Sequence, residues 1–395
     1  MLNVAWSWPF LRLYVLTLLY FSANAMLNVI IPLKGASLGA SNTAIGIVMG
    51  AYLCTTMCFR PWAGQVIHKH GPIKVLRIIL VINGFALLLY PFTGLGGYAV
   101  ARILQGVCTA FFSMALQLGI IDALPDKDRS QGISLYSLCS YMPGLFGPLL
   151  ALSMWGSDRM HYFTVAMIAI AVSTGAVGYS AQMSSEPSRP AAQKTGQGDM
   201  MFKSFSRLIR NRQWCRCSLL MLVASIVFGA VTTFIPLYAG QIESGNAGMY
   251  LMLQAGTVVL ARLALRKKIP SDGHWHASWI IGIMLLLTAA ALSLSGALTA
   301  GAVWLYLGAV LMGFAQALLY PILTTYLTFV LPPADRNVMI GWFIAMADMG
   351  VSLGSLVMGL IADHTSYSAM YLLCAGLGAA MVIVAYERRR PTLRT

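Results

Sequence analysis

Long, unbroken apolar runs separated by short polar breaks dominate this chain. Read between the breaks, they fall at residues 10–31, 43–60, 75–93, 98–121, 132–154, 161–180, 217–239, 246–265, 277–296, 301–329, 338–361 and 367–386. Each is near the ~20 residues a helix needs to cross the hydrocarbon of a bilayer. The runs are continuous rather than alternating, so they predict helices and exclude a membrane β-barrel, whose strands alternate apolar with polar. Twelve helices in two groups of six are expected. Between the groups, residues 182–215 carry Pro187, Pro190, Gly196, Gly198 and a cluster of Lys and Arg, which reads as a flexible linker ending in a basic surface helix. The expected organisation is therefore an N-terminal half over 1–181, a cytoplasmic linker over 182–215 and a C-terminal half over 216–395.

Composition agrees with a membrane solution. The 395 residues are 58% hydrophobic and 10% charged, with a mean hydropathy of +0.74. No aqueous fold hides that much apolar surface. Ala23-Asn24-Ala25 has the small-x-small form of a signal cleavage site, but the apolar stretch continues to Pro32 and more spans follow, so a retained first helix is expected.

The net charge of +14 would suggest nucleic acid in a soluble protein. Here its position matters more than its sum. With the N-terminus in the cytoplasm, Arg12, Arg60, Lys69, Lys74, Arg77, Lys127, Arg129, the linker cluster, Arg262, Arg266, Lys267, Lys268, Arg336 and the Arg388 to Arg390 tail all fall inside, and only Lys34 and Arg159 fall outside. That bias predicts an inner-membrane protein with both termini cytoplasmic and no nucleic-acid partner.

The seven cysteines, Cys54, Cys58, Cys108, Cys139, Cys215, Cys217 and Cys374, lie mostly within apolar runs and give no disulfide framework. The six histidines sit in loops or at span ends, so no metal site is expected. No phosphate-binding Gly-x-x-x-x-Gly-Lys-Ser/Thr loop occurs, no cofactor is implied, and energy must come from an ion gradient. No paired carboxylates or extended soluble module suggest an enzyme.

The halves repeat one another. Leu124-Pro125-x-x-Asp128-Arg129 recurs 207 positions on as Leu331-Pro332-x-x-Asp335-Arg336, and Gly106 and Ala110 recur as Gly313 and Ala317. Ile31-Pro32-Leu33 recurs 204 positions on as Ile235-Pro236-Leu237. Two six-helix halves in a parallel repeat, with a solute site at the midplane between them, are the organisation of the major facilitator superfamily, which this chain resembles.

Particular motifs strengthen the resemblance. After the second run, Gly64-Gln-Val-Ile-His68-Lys69-His-Gly71-Pro-Ile-Lys74 is similar to the family's signature loop, which latches the halves together when the transporter faces outward; His68 stands where the family has an acid. Asp122 at the inner end of the fourth run is grouped with this conformational motif. Arg102-Ile-Leu-Gln105-Gly106 resembles the second motif, whose intramembrane arginine the family links to proton movement. Pro143-Gly144-Leu-Phe-Gly147-Pro148 is similar to the element that marks exporters of the antiporter type, with Pro143 where a glycine is usual. Its small residues would let helices approach, and its prolines would bend the span.

Among the twelve carboxylates, most fall in loops. Asp348, about ten residues into the eleventh run, reads as a lone acid near the midplane, where desolvation favours the neutral form and allows proton uptake and release. Asp348 and Arg102 are thus the expected proton-coupling residues. Asn24 and Asn28, one turn apart, with Arg102, Gln105, Gln117, Gln254 and Tyr320, are the expected walls of a polar substrate cavity.

The runs Trp8-Pro-Phe-Leu-Arg-Leu-Tyr, Phe21-Ser-Ala-Asn-Ala25, Arg60-Pro-Trp-Ala-Gly64, Gln105-Gly-Val-Cys-Thr-Ala-Phe-Phe-Ser113 and Gly119-Ile-Ile-Asp-Ala-Leu-Pro125 resemble exporters of opine-type metallophores. That resemblance implies outward, proton-driven antiport of a small anionic or zwitterionic chelator by a monomer with alternating access, and Arg102 suits such a cargo as a counter-charge. The alternative is a multidrug or sugar efflux pump of the same fold.

Overall fold

The computed structural model describes residues 7–124, 126–155, 159–181, 211–265, 268, 270, 273–332 and 336–386. The linker and the basic surface helix expected at its end lie mostly outside them. The described chain is all helix: α1 (Trp8–Ser37), α2 (Asn42–His70), α3 (Pro72–Phe92), α4 (Leu95–Ala123), α5 (Asp126–Tyr141), α6 (Pro143–Met154), α7 (Met160–Ser180), α8 (Arg212–Tyr238), α9 (Ala247–Leu265), α10 (Ala277–Ala300), α11 (Ala302–Val330), α12 (Arg336–His364) and α13 (Tyr367–Ala385). A 3₁₀ turn, Ala239–Gln241, follows α8. Twelve stretches among them are long and apolar enough to cross a membrane, α5 and α6 together supplying the fifth.

Two of these elements shape the site, and the second of them differs from the sequence reading. The fifth span is kinked: α5 ends at Tyr141 and α6 restarts at Pro143, whose ring removes a backbone donor, while Met142 between them keeps helical φ and ψ and bonds back to Leu138. The second span does not stop at Arg60. It runs through Pro61 to His70 and ends on Gly71, which takes φ +82 before Pro72 opens α3. A positive φ of that kind strains any residue with a Cβ, which explains the glycine at this turn of the signature loop. Arg60 and Pro61 look like a stop signal in sequence, but neighbouring helices and water re-satisfy backbone freed by an intramembrane proline.

The termini, the α2–α3 turn and the α4–α5 loop define one end of the bundle, here the terminal face. Residues 38–41 and the α6–α7, α8–α9 and α12–α13 connections define the opposite face. The N-terminal half has two apolar cores. One gathers Leu13, Leu16, Leu76, Phe112 and Leu116 toward the terminal face, and the other Leu27, Ile30, Ile45, Leu87 and Phe163 toward the opposite face. The C-terminal half packs around one continuous core that includes Phe234, Tyr250, Leu287, Leu323 and Phe343. Between the halves, α2 packs along α12, α6 along α9, and α1 touches α8. Close approach fixes the first of these pairs: a Cβ added at Gly46 would lie 2.1 Å from the Ser355 carbonyl oxygen, so only glycine lets α2 and α12 meet there.

Candidate functional site

Arg102 is fully enclosed on α4. A guanidinium has five donors and no acceptor, so burial requires oxygens around it. Asn24 Oδ1 accepts from one terminal nitrogen at 2.6 Å and Asn28 Oδ1 from the other at 2.8 Å. Met49 Sδ is 3.5 Å from the second nitrogen, and the Tyr52 ring lies beneath the charge at 5.1 Å. The i, i+4 spacing on α1 presents both asparagines as a fork matched to the guanidinium. Arg102 therefore does not line an open cavity. It holds Asn24 and Asn28, which are partly exposed. Because the arginine can only donate, both amide oxygens must point toward it and both amide NH₂ groups must point away. The exposed side of this cluster is a pair of oriented donors, suited to a carboxylate.

The neighbouring polar groups support the same helix contact. Gln105 is buried and its Oε1 accepts from Tyr90 at 2.5 Å, so it is committed to α3 rather than to a cavity. Thr109 bonds the hydroxyls of both Tyr20 and Tyr52, at 2.9 and 3.0 Å. Gln117 is exposed and interacts with Tyr136 of α5. Gln254 is buried, with its Nε2 donating to Gln316 at 3.0 Å. Tyr320 is half-buried and stacks on Phe343 at 6.1 Å.

Asp348 is not the lone acid the sequence suggests. Arg60 Nε of α2 donates to its carboxylate at 2.7 Å, joining the two halves of the molecule. This is the only salt bridge among the described residues. The side chains are 25% and 13% exposed, so the pair is shielded but reachable from a polar space. Tyr52 of α2 and Tyr320 of α11 lie near enough to the pair to interact with it electrostatically. Arg60 reads as a loop charge in the sequence because the second span is ended at it there.

A second cross-interface contact lies on the α5–α9 side. Arg262 donates to the Tyr141 hydroxyl at 3.2 Å and to Ser137 Oγ at 3.5 Å, with its charge 4.3 Å from the Tyr141 ring.

At the opposite face a third contact closes the interface. The Asp363 carboxylate accepts from the Asn42 and Thr43 backbone N–H groups, each at 2.8 Å, and from the Thr43 hydroxyl at 2.6 Å. It caps the N-terminus of a helix in the other half, where amide donors and the helix dipole favour an anion. Tyr367 adds a bond to Asn42 Oδ1 at 2.6 Å, and Ser352 Oγ donates to the Gly50 carbonyl at 2.8 Å. In sequence Asp363 is only a helix-end acid. Its partners are 320 and 321 positions away and leave no local signal.

Among the described residues the inter-half hydrogen bonds thus run from the opposite face to the depth of Arg60 and Arg262, and they hold the halves together at the opposite face. We expect Asp363→Ala to loosen that closure. In a chain stripped of native cysteines and carrying Ser355→Cys, a position now 2% exposed, labelling by a membrane-impermeant thiol reagent should rise severalfold with Asp363→Ala. Unchanged labelling would show that the glycine packing alone seals this face.

Three of the signature-loop residues are exposed or open. Lys69 and Lys74 are exposed, Gly64 has open space where a Cβ would point, and Gly71 makes the turn. The side chains of His68 and Asp122 lie outside the described residues. The exporter-like element acts through contact: a Cβ at Gly147 would come within 2.6 Å of Ala25 Cβ on α1, one at Gly144 within 3.1 Å of Ala255 Cβ on α9, and Pro148 is buried within α6. No cluster of three or more potential metal ligands occurs among the described residues.

Two helical bundles meet across an interface of charged and polar contacts, and comparison fixes the class of protein. The model of the Major Facilitator Superfamily matches residues 13–271 and 271–395, and the chain belongs to that family. It is a multi-pass membrane transporter and not an enzyme. It is 50% identical over 397 residues to the staphylopine export protein of Staphylococcus aureus, covering 99% of this chain and 98% of that one. Among solved structures it is similar to the nucleoside transporter NupG (TM-score 0.75, 14% identity, 96% of this chain and 98% of that chain). It is also similar to the human organic anion transporter MFSD10 (TM-score 0.71, 16% identity, 95% of this chain and 98% of that chain). At these identities the structural likeness speaks for the fold alone.

Proposed function

We propose that this protein exports a small carboxylate-bearing metal chelator of the staphylopine type, by proton antiport with alternating access across the bacterial inner membrane. The observation that carries the reading is the 50% identity to the staphylopine export protein over nearly the whole of both chains. The donor pair that Arg102 orients on Asn24 and Asn28 supports it, because a cargo rich in carboxylates is recognised by fixed donors.

In this reading the terminal face is cytoplasmic, and a bundle closed at the opposite face is the state that loads cargo from inside. Asp348 and Arg60 couple the proton to the conformational change. While Asp348 is charged, the pair ties α2 to α12. A proton arriving from outside neutralises the acid, releases Arg60 and changes the relative stability of the two orientations, which is the differential interaction that any population shift requires.

Everted membrane vesicles energised with a proton gradient should accumulate labelled staphylopine, and an uncoupler should abolish the uptake. Gradient-independent equilibration would remove the antiport reading, and no uptake at all would remove the cargo. Orientation has its own check. Reporter fusions after residues 70, 200, 267 and 390 should all report cytoplasm, since those segments hold the basic clusters; a periplasmic signal at any of them would invert the assignment of faces.

A further inference from the structure

Because the halves are repeats, equivalent positions in them can be compared. At Gly106 of α4 an added Cβ would lie 2.4 Å from the Tyr52 carbonyl oxygen and 2.8 Å from Thr55 Cβ. At Gly313 of α11 it would lie 2.7 Å from the Gln254 carbonyl oxygen and 2.6 Å from Thr257 Cβ. The same helix contact is built twice, matching Tyr52 with Gln254 and Thr55 with Thr257, each pair 202 positions apart. On that register Arg60 matches Arg262. The Leu-Pro-x-x-Asp-Arg repeat, 207 positions apart, likewise matches Tyr141 with Asp348.

The observed contacts obey this symmetry. Arg60 crosses the interface from α2 to Asp348 of α12, and Arg262 crosses it from α9 to Tyr141 at the end of α5. The molecule therefore holds two repeat-related arginines facing the opposite half at similar depth. One meets a carboxylate. The other meets a phenol and a serine hydroxyl, and has no acid in salt-bridge reach among the described residues. Its Nε is buried without a hydrogen-bond partner, while the side chain as a whole is partly exposed. A guanidinium shielded from water without a counter-charge is costly, and its fork geometry suits a carboxylate supplied from elsewhere.

We infer that Arg262 is the residue that receives a carboxylate of the cargo, with Tyr141 as the adjacent hydroxyl. The assignment rests on the anionic-cargo reading above. The cargo then completes on the α5–α9 side the ion pair that the chain itself completes on the α2–α12 side, so cargo and proton act on matched positions of one interface. Tyr141 lies two residues before Pro143, which places the cargo contact at the kink of the fifth span.

The test is equilibrium binding of metal-free staphylopine, and of its carboxyl methyl ester, to the purified full-length protein and its variants. The parent should bind the free acid more tightly than the ester. Arg262→Gln should weaken the free acid by roughly ten- to a hundredfold and erase the preference over the ester, as expected for loss of a charge-assisted fork. Arg262→Lys should fall between. Tyr141→Asp places an internal carboxylate against Arg262 and should also weaken the free acid. If the parent binds no staphylopine, the cargo reading falls and this assignment with it. If the parent binds and Arg262→Gln binds as tightly, or loses both ligands equally, Arg262 is not the carboxylate site and the cargo reading stands without it.

Discussion

Asp348→Asn is expected to abolish proton-driven export while leaving cargo exchange measurable. The amide copies the shape and neutrality of the protonated carboxyl but cannot cycle between states, and it turns the 2.7 Å ion pair with Arg60 into a weaker contact with a neutral acceptor. Arg60→Gln should fail differently. It leaves a shielded carboxylate without its counter-charge, a costly arrangement, so coupling is lost although the acid remains. Exchanging the two, as Arg60→Asp with Asp348→Arg, restores the pair in reversed polarity and should recover closure of the interface without recovering transport at the parent's rate. Reconstituted proteoliposomes with and without an imposed proton gradient read all three. Gradient-driven transport by Asp348→Asn at the parent's rate would make this pair a purely structural tie.

Hydropathy alone located all twelve spans, because each carries its own signal in a window of about 20 residues. The repeat was also legible, since duplication leaves matched residues at a fixed offset. Pairings between halves were not. Arg60 and Asp348 are 288 positions apart, and reading the second span as ended at its first charge hid the arginine inside the helix that continues to His70. The bend of the fifth span was legible, because Pro143 cannot donate to the helix ladder and marks the point where α5 gives way to α6. Asn24 and Asn28 were recognisable as sharing a face of α1, but that the face is turned to Arg102 is a fact of tertiary packing. Gln105 shows the converse: a polar residue in an apolar helix reads as a cavity wall, and here it accepts a bond from Tyr90 instead.

The enclosure of Arg102 changes what its removal should do. A cargo-contacting arginine would alter affinity and leave the empty protein as stable as before. An arginine that holds two asparagines in place contributes to the empty protein itself. Arg102→Ala strips the charged donor from Asn24 Oδ1 and Asn28 Oδ1 and leaves a void beside Met49 and Tyr52. An orphaned buried acceptor costs on the order of 1–3 kcal/mol, and water recovers part of that at the partly exposed Asn24 and Asn28. The ligand-free protein should therefore unfold several degrees lower, as read by a thiol-reactive dye, because buried Cys108, Cys217 and Cys374 become exposed on unfolding. Free to rotate, the two amides would no longer present their NH₂ groups together, so cargo binding should weaken alongside the loss of stability. Arg102→Lys keeps the charge but not the fork; one amine on a flexible stem cannot reproduce both bonds in the same geometry. It should recover part of the stability and little of the binding. A stable Arg102→Ala protein with lost binding would show that Arg102 meets the cargo directly in another conformation; lost stability with intact binding in the folded fraction would show that the donor pair on Asn24 and Asn28 is not part of the cargo site.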